Sequence, residues 1–245
     1  MSLLLAGERL DYIANDLYII QSSETFAFSI DAVLLAKFTK VPVTRGRIID
    51  LCSGNGVIPL VLSTRSRVPI TGIELQGKLV EMAKRSATYN KLDEQIQFFE
   101  GDVRDKNLAN MVGQADLITC NPPYFATPGE AEWNVNPYLA NARHERNGTL
   151  KELTAAASRL VKEKGKVSMV LRPERLSDLM EAYRTYRIEP KRLKLIYPKR
   201  DKDANIVLLE GIKEGKPGLT CTAPLTVYED NGTYTEEFQN YYGQC

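Results

Sequence analysis

The chain has 245 residues, of which 43% are hydrophobic and 26% charged. That balance excludes a largely disordered chain, and the length allows one large domain that buries roughly 70% of its unfolded surface, or two small ones. Lys plus Arg is 32 and Asp plus Glu is 31, and a formal net charge of +1 excludes a protein that coats nucleic acid broadly.

Cysteines stand at 52, 120, 221 and 245, none in a Cys-x-x-Cys pair, and His144 is the single histidine. This set predicts neither a disulfide framework nor a zinc site, so no metal is expected. The first residues have a short apolar run but no basic region before it, and no apolar run approaches the roughly 18 residues of a membrane span. The expectation is a reduced, cytoplasmic protein with no membrane partner.

In chain order, residues 1–45 read as an N-terminal extension with a strand at 17–21 and a helix at 31–40. Ser29 is placed to cap that helix, and Asp31 lies in its first turn, where an acid suits the helix dipole. From residue 46, short apolar runs alternate with helical periodicity. Strands are expected at 47–52, 68–75, 95–99, 116–120, 166–171, 192–197 and 206–210, and helices at 57–64, 78–89, 150–161 and 175–186. Near-continuous apolar strands alternating with helices predict an α/β fold: a Rossmann-like, mostly parallel seven-stranded sheet with helices on both faces. Residues 46–213 form this core, and 214–245 a tail rich in Tyr that carries four acids from residue 217 onward and no Lys or Arg. The whole chain, 1–245, reads as one domain.

The first core strand ends Asp50-Leu51-Cys52-Ser53-Gly54-Asn55-Gly56. Two glycines at a strand-to-helix turn let the backbone approach a ligand in front of a helix N-terminus. Glu74 ends the second strand, where an acid can accept both hydroxyls of a ribose, and Asp102 follows the third strand at the same edge. Each feature has a plain reading: a turn, a strand-end acid, a helix cap. Their joint placement at strand ends favours a nucleoside site. A dinucleotide fingerprint would want a third glycine where Pro59 stands, and Asp50 suits a cationic ligand better than a pyrophosphate.

The fourth strand ends Cys120-Asn121-Pro122-Pro123-Tyr124. Two prolines cannot continue a ladder, so the chain leaves the sheet here, with Asn121 at the ligand edge. The plain reading is a rigid loop start. The chemical reading begins from an exocyclic amino group, a poor nucleophile because its lone pair is delocalised. The Asn121 side-chain oxygen and the Pro122 carbonyl can accept its two N–H groups, Pro123 stiffens the carbonyl, and Tyr124 offers a ring for stacking. The long polar segment 125–147 contains Trp133, which packs the loop or stacks a base, and ends Ala142-Arg143-His144-Glu145; His144 is a structural histidine or part of a substrate entrance.

The motifs F-S-I-D-A-V-L-L-A, D-L-C-S-G-N-G, G-I-E, G-D, N-P-P-Y and A-R-H-E, in this order over about 120 residues, resemble the bacterial tRNA(Val) adenine-N6 methyltransferase family. The resemblance implies a class I methyltransferase fold, S-adenosylmethionine as cofactor, and methylation of the adenine beside the anticodon of a tRNA. It implies that Asp50, Cys52 and the Gly54–Asn55–Gly56 turn face the methionine end of the cofactor. Glu74 and Leu75 then take the ribose, Asp102 and Val103 the adenine, and Phe28 and Asp31 close over the methionine end, with Asn121 beside them. Substrate contacts fall to Tyr124, Arg143, His144 and Glu145. N-P-P-Y is shared with protein-glutamine, DNA-adenine and rRNA-guanine enzymes, so these remain alternatives, as does a non-catalytic RNA-binding module.

Residues 184–202 hold eight basic residues against two acids, among them Lys199 and Arg200, which are expected to meet RNA phosphates. The plain reading is a solvated strand face. Oligomeric state is left open, with a monomer favoured.

Overall fold

Apolar β-branched runs buried on both faces build the centre of the molecule. The computed structural model describes residues 3–25, 28–122 and 148–243. The main sheet contains β3 (Ile48–Leu51), β4 (Ile70–Glu74), β5 (Ile96–Glu100), β6 (Ala115–Cys120), β7 (Val161–Leu171), β8 (Ile188–Tyr197) and β9 (Ile206–Lys213). Two short strands, β10 (Thr220–Cys221) and β11 (Leu225–Thr226), both pair with β8. The order across the sheet is β10-β8-β9-β7-β6-β3-β4-β5, and β9 runs antiparallel to both its neighbours. The expected seven-strand, mostly parallel α/β architecture is therefore present, with two short strands added at one edge. Residues 217–227 of the tail supply these two strands.

Successive side chains of a strand point to opposite faces, so one strand feeds two cores. In β9, Ile206 and Leu208 join one apolar cluster, and Val207 and Leu209 join the other. The first cluster is covered by α1 (Ile30–Phe38), α2 (Val57–Ser63) and α3 (Gly77–Tyr89). The second is covered by α4 (Leu108–Val112), α5 (Leu150–Leu160) and α6 (Leu176–Thr185). α3 buries Leu79, Val80, Met82, Ala83, Ser86 and Ala87, the one-sided spacing of an amphipathic helix. α5 begins with a capping box that the sequence reading overlooked: the Thr149 hydroxyl accepts the Glu152 amide while Glu152 accepts the Thr149 amide.

Two local expectations change, and the tail finds a place. The extension holds a hairpin, β1 (Glu8–Tyr12) and β2 (Tyr18–Ser22), where one strand was expected. Its exposed edge is closed by α3: the Ile20 amide donates to Ser86 Oγ at 3.0 Å, and the Tyr18 amide to Asn90 Oδ1 at 3.0 Å. Ser29 occupies the N-cap position of α1, but its side chain makes no capping bond. The tail packs on the sheet domain: α7 (Glu236–Tyr242) buries Phe238 in the first core, and Tyr234, Phe238 and Tyr242 form a ring series with centroids 4.8 and 5.2 Å apart.

Candidate active site

The chain runs outward from β3 through β4 to β5, then returns to β6 on the other side of β3. The carboxyl ends of these strands share one edge, and the reversal between β3 and β6 is where sheets of this kind bind ligands. The turn after β3 is wound by Cys52, Gly54 and Gly56, with φ of +55°, +55° and +92°. Its two glycines do different work. At Gly56 a Cβ would lie 2.6 Å from the Phe98 ring, so glycine there lets α2 start hard against β5. At Gly54 nothing lies within 4 Å of that position among the described residues, which leaves the backbone open to a ligand.

Glu74 crosses from the end of β4 to this turn. Its Oε2 accepts the Gly54 amide at 2.9 Å, and its Oε1 accepts the Gln76 amide at 3.0 Å. Burial pushes its carboxyl up, opposed by these amides. Asp50, one strand in, is fully buried, and burial pushes its carboxyl up to about 7 against the pull of the Thr119 and Ser53 hydroxyls, with the Glu74 charge adding to the rise. Thr119 donates to Asp50 Oδ1 at 2.6 Å. Asp50 Oδ2, Ser53 Oγ and Gln76 Oε1 are buried without a hydrogen-bond partner among the described residues. Such atoms cost about 1–3 kcal/mol each when left unmet, so this edge suits a ligand with polar and cationic groups.

Cys52 and Cys120 lie beside each other across β3 and β6. The Cys52 thiol, then burial, then the charges of Asp50 and Glu74 push the Cys120 thiol well above its ordinary range. Asn121 follows directly, half-buried, and Pro122 is buried. They stand at the end of β6, the strand adjacent to the Gly turn.

Other expected residues are placed differently. Asn55 points away from the cleft's open turn: its buried amide donates to the Ile20 carbonyl at 3.1 Å and braces the hairpin. Asp102 is held by Arg104, with Nη2 to Oδ2 at 2.6 Å and the Arg104 amide to Oδ1 at 2.8 Å, and this partner holds its carboxyl below the usual range. The Val103 side chain is buried in the second core, so only its backbone can serve a ligand. Leu75, at the end of β4, is 36% exposed, an apolar surface at the ligand edge. Phe28 packs partly buried on the first core and donates its amide to Gln21 Oε1 at 2.9 Å, while Asp31 is buried at the start of α1. Pro123, Tyr124, Trp133, Arg143, His144 and Glu145 lie outside the described residues.

Part of the basic stretch is engaged within the fold. Arg187 pairs with Glu214 at 2.7 Å and Arg192 with buried Glu210 at 2.9 Å, and Lys194 donates to the Ala223 carbonyl at 2.6 Å. Arg187 and Arg192 are thus engaged by acids within the fold. Arg200 is exposed just past β8, and Lys199 beside it donates to the Asp230 carbonyl at 3.0 Å. Sequence reasoning missed Thr119, Gln76 and Arg104. Thr119 had a signal: it is the one hydroxyl in the run Leu117-Ile118-Thr119-Cys120, and a buried hydroxyl must find a partner. Among the described residues, no group of three or more His, Cys, Asp or Glu is placed to hold a metal ion.

The family model described as the methyltransferase small domain matches residues 29–185. A tRNA1(Val) (adenine(37)-N6)-methyltransferase of Actinobacillus succinogenes is 30% identical over 214 residues, covering 85% of each chain. One of Porphyromonas gingivalis with the same name is 28% identical over 199 residues, covering 78% of this chain and 75% of that one. Among solved structures, an Agrobacterium tumefaciens protein described as a predicted O-methyltransferase superposes with a TM-score of 0.69 at 23% identity, covering 87% of this chain and 95% of that one, and so shares the fold. The chain therefore belongs to the methyltransferase small domain family.

Proposed function

We propose that this protein transfers a methyl group from S-adenosylmethionine to the exocyclic amino group of an adenine in tRNA, adenine 37 of tRNA(Val). The observation that carries the reading is the position of Asn121 and Pro122, at the end of β6 and across the strand reversal from the Gly54 turn. The relatives named tRNA1(Val) (adenine(37)-N6)-methyltransferase support the substrate, and they favour it over glutamine, DNA or rRNA.

The residues present fit the cofactor. A fully buried carboxylate oxygen of Asp50 without a partner among the described residues calls for a cation, and the bare backbone of Gly54 admits close approach. Asp50 with the Gly54 turn would hold the amino-acid end. Glu74 keeps unused lone pairs on both oxygens beyond the two amides it accepts, and these suit ribose hydroxyls. Leu75 with the backbone of Val103 would hold the adenine. When bound, S-adenosylmethionine supplies a methyl group on a sulfonium that leaves as a neutral thioether.

Asn121 and Pro122 orient the target. The Asn121 side-chain oxygen and the Pro122 carbonyl accept the two amino hydrogens, which localises the nitrogen lone pair on the side away from them. The amino proton passes to solvent late, because a methylated exocyclic nitrogen bearing an extra proton is a strong acid. Arg200 and Lys199, beyond β8 on the same sheet edge, would meet phosphates of the RNA, and Tyr124, Arg143, His144 and Glu145 would serve the base. Among the described residues no helix is long and apolar enough to cross a membrane. A tRNA substrate supports a cytoplasmic location.

The test is transfer of labelled methyl from the cofactor to tRNA transcripts, with nucleoside mass spectrometry. N6-methyladenosine at position 37 is expected, and Asn121→Ala should lower the rate by about 100-fold or more, the weight of one transition-state hydrogen-bonding group. Undiminished transfer by the variant would remove Asn121 from the mechanism, and label in protein instead of RNA would overturn the substrate.

A further inference from the structure

Asp50 and Thr119 are opposite one another in the register of β3 and β6, at the strand reversal. Both are fully buried. The Thr119 hydroxyl donates to Asp50 Oδ1 at 2.6 Å, while Oδ2 has no partner among the described residues. Rotation of a carboxylate about its terminal torsion is soft, and a hydroxyl held on one oxygen fixes it. The two oxygens are therefore unlike: Thr119 holds one at 2.6 Å, and the other is left for a ligand, with the Ser53 hydroxyl the further polar group that faces the carboxylate. Thr119 also stands two residues before Asn121, so β6 carries both the clamp on the cofactor-side carboxylate and the target-side amide.

We infer that Thr119 is a positioning residue for the cofactor: its hydroxyl turns Asp50 so that Oδ2 receives the cationic amino group at the cofactor's methionine end. This rests on the methyltransferase reading above. The groups facing Asp50 are Thr119 and Cys120 from β6, Glu74 from β4 and Ser53 from the turn after β3, and none of these is a cation. A ligand ammonium group therefore meets the carboxylate without a rival among them, and draws it into its ionised form. Removing the Thr119 hydroxyl takes away a bond that favours that form and frees the carboxylate to rotate.

The test is calorimetric titration with S-adenosylhomocysteine, which keeps the amino group, from pH 6 to 9. Thr119→Val is expected to bind about tenfold more weakly at pH 7, one hydrogen bond to a charged group, with the deficit shrinking toward pH 9. Thr119→Ser, which keeps the hydroxyl, should stay within about threefold of wild type. In an Asp50→Asn background, Thr119→Val should cost nothing further, because Thr119 acts through Asp50. If the valine variant does not fold, Thr119→Ala reads the same loss. Wild-type affinity in the valine variant across the pH range, or an equal loss in the Asp50→Asn background, would overturn the role of Thr119 while leaving the cofactor assignment intact. Wild-type protein that binds no S-adenosylhomocysteine would overturn the cofactor reading and this inference together.

Discussion

Glu74 Oε2 accepts the Gly54 amide at 2.9 Å, so the end of one strand holds the turn that follows its neighbour. The relationship makes the cleft a single mechanical unit. A ligand that contacts Glu74 also contacts the group that shapes the glycine turn. It also separates the two glycines, since Gly54 is tied on its amide side and open where a side chain would stand.

Gly54→Ala and Gly56→Ala should fail in different ways. Both positions are left-handed, which costs an L-residue about 1–2 kcal/mol. Alanine at 56 would also meet the Phe98 ring at 2.6 Å, and overpacking adds about 1–3 kcal/mol. Urea unfolding should show the larger loss at Gly56, while cofactor titration of the folded fraction should show a loss at Gly54. The reverse order of stabilities would contradict the assigned roles.

Asp50 should make stability depend on pH. Its folded carboxyl is pushed up to about 7 by burial, above an unfolded value near 4. The folded protein thus keeps a proton that the unfolded chain gives up. The associated stability is complete below about pH 4 and is lost as pH rises through about 7. Asp50→Asn should flatten this part of the melting-temperature profile and match or exceed wild type above pH 7 in the free protein, while losing cofactor affinity. A wild-type profile with no decline between pH 4 and 7 would refute the buried proton.

Asn55 should matter for the hairpin and not for the ligand. Asn55→Ala leaves the buried Ile20 carbonyl without its donor, at a cost of about 1–3 kcal/mol. Hydrogen exchange should quicken at the amides of β2, and cofactor affinity should change by no more than a few-fold. Unchanged exchange in β2 would show that the brace is dispensable.

Arg104→Ala should raise cofactor affinity by a few-fold, because Asp102 no longer has to leave a guanidinium to meet an adenine. The pair is largely solvent-facing, with side chains 41% and 32% exposed, so its loss should cost no more than about 1 kcal/mol of stability. Weaker binding in the variant would mean that Arg104 supports the adenine end directly.

The strands of the sheet were legible because each is an apolar run of the right length, and the edges differ by only a few residues: β3 was expected at 47–52 and spans Ile48–Leu51. β7 was read too short, because Val161 to Gly165 has three charges that look like a loop yet belong to the strand. β1 was missed for a related reason, since Glu8, Arg9 and Asp11 lack an apolar period and the segment is a strand through its pairing with β2. Charge counted along the chain did not show which bases are engaged: Arg187 and Arg192 find their acids on or just after β9.

By itself the sequence determined the local chemistry: a glycine turn after one strand, acids after the next two, and Asn-Pro after the fourth. These follow from backbone permissiveness and alternation, which act over a few residues. Only the tertiary structure decided which atoms remain for a ligand. Asn55 is engaged by the hairpin, Asp102 by Arg104 and Asp50 Oδ1 by Thr119, while Asp50 Oδ2 is left without a partner among the described residues. Most of those bonds join residues far apart in the chain, and their existence depends on strand register and on which helix lies over which edge, neither of which the spacing of residues along one chain contains.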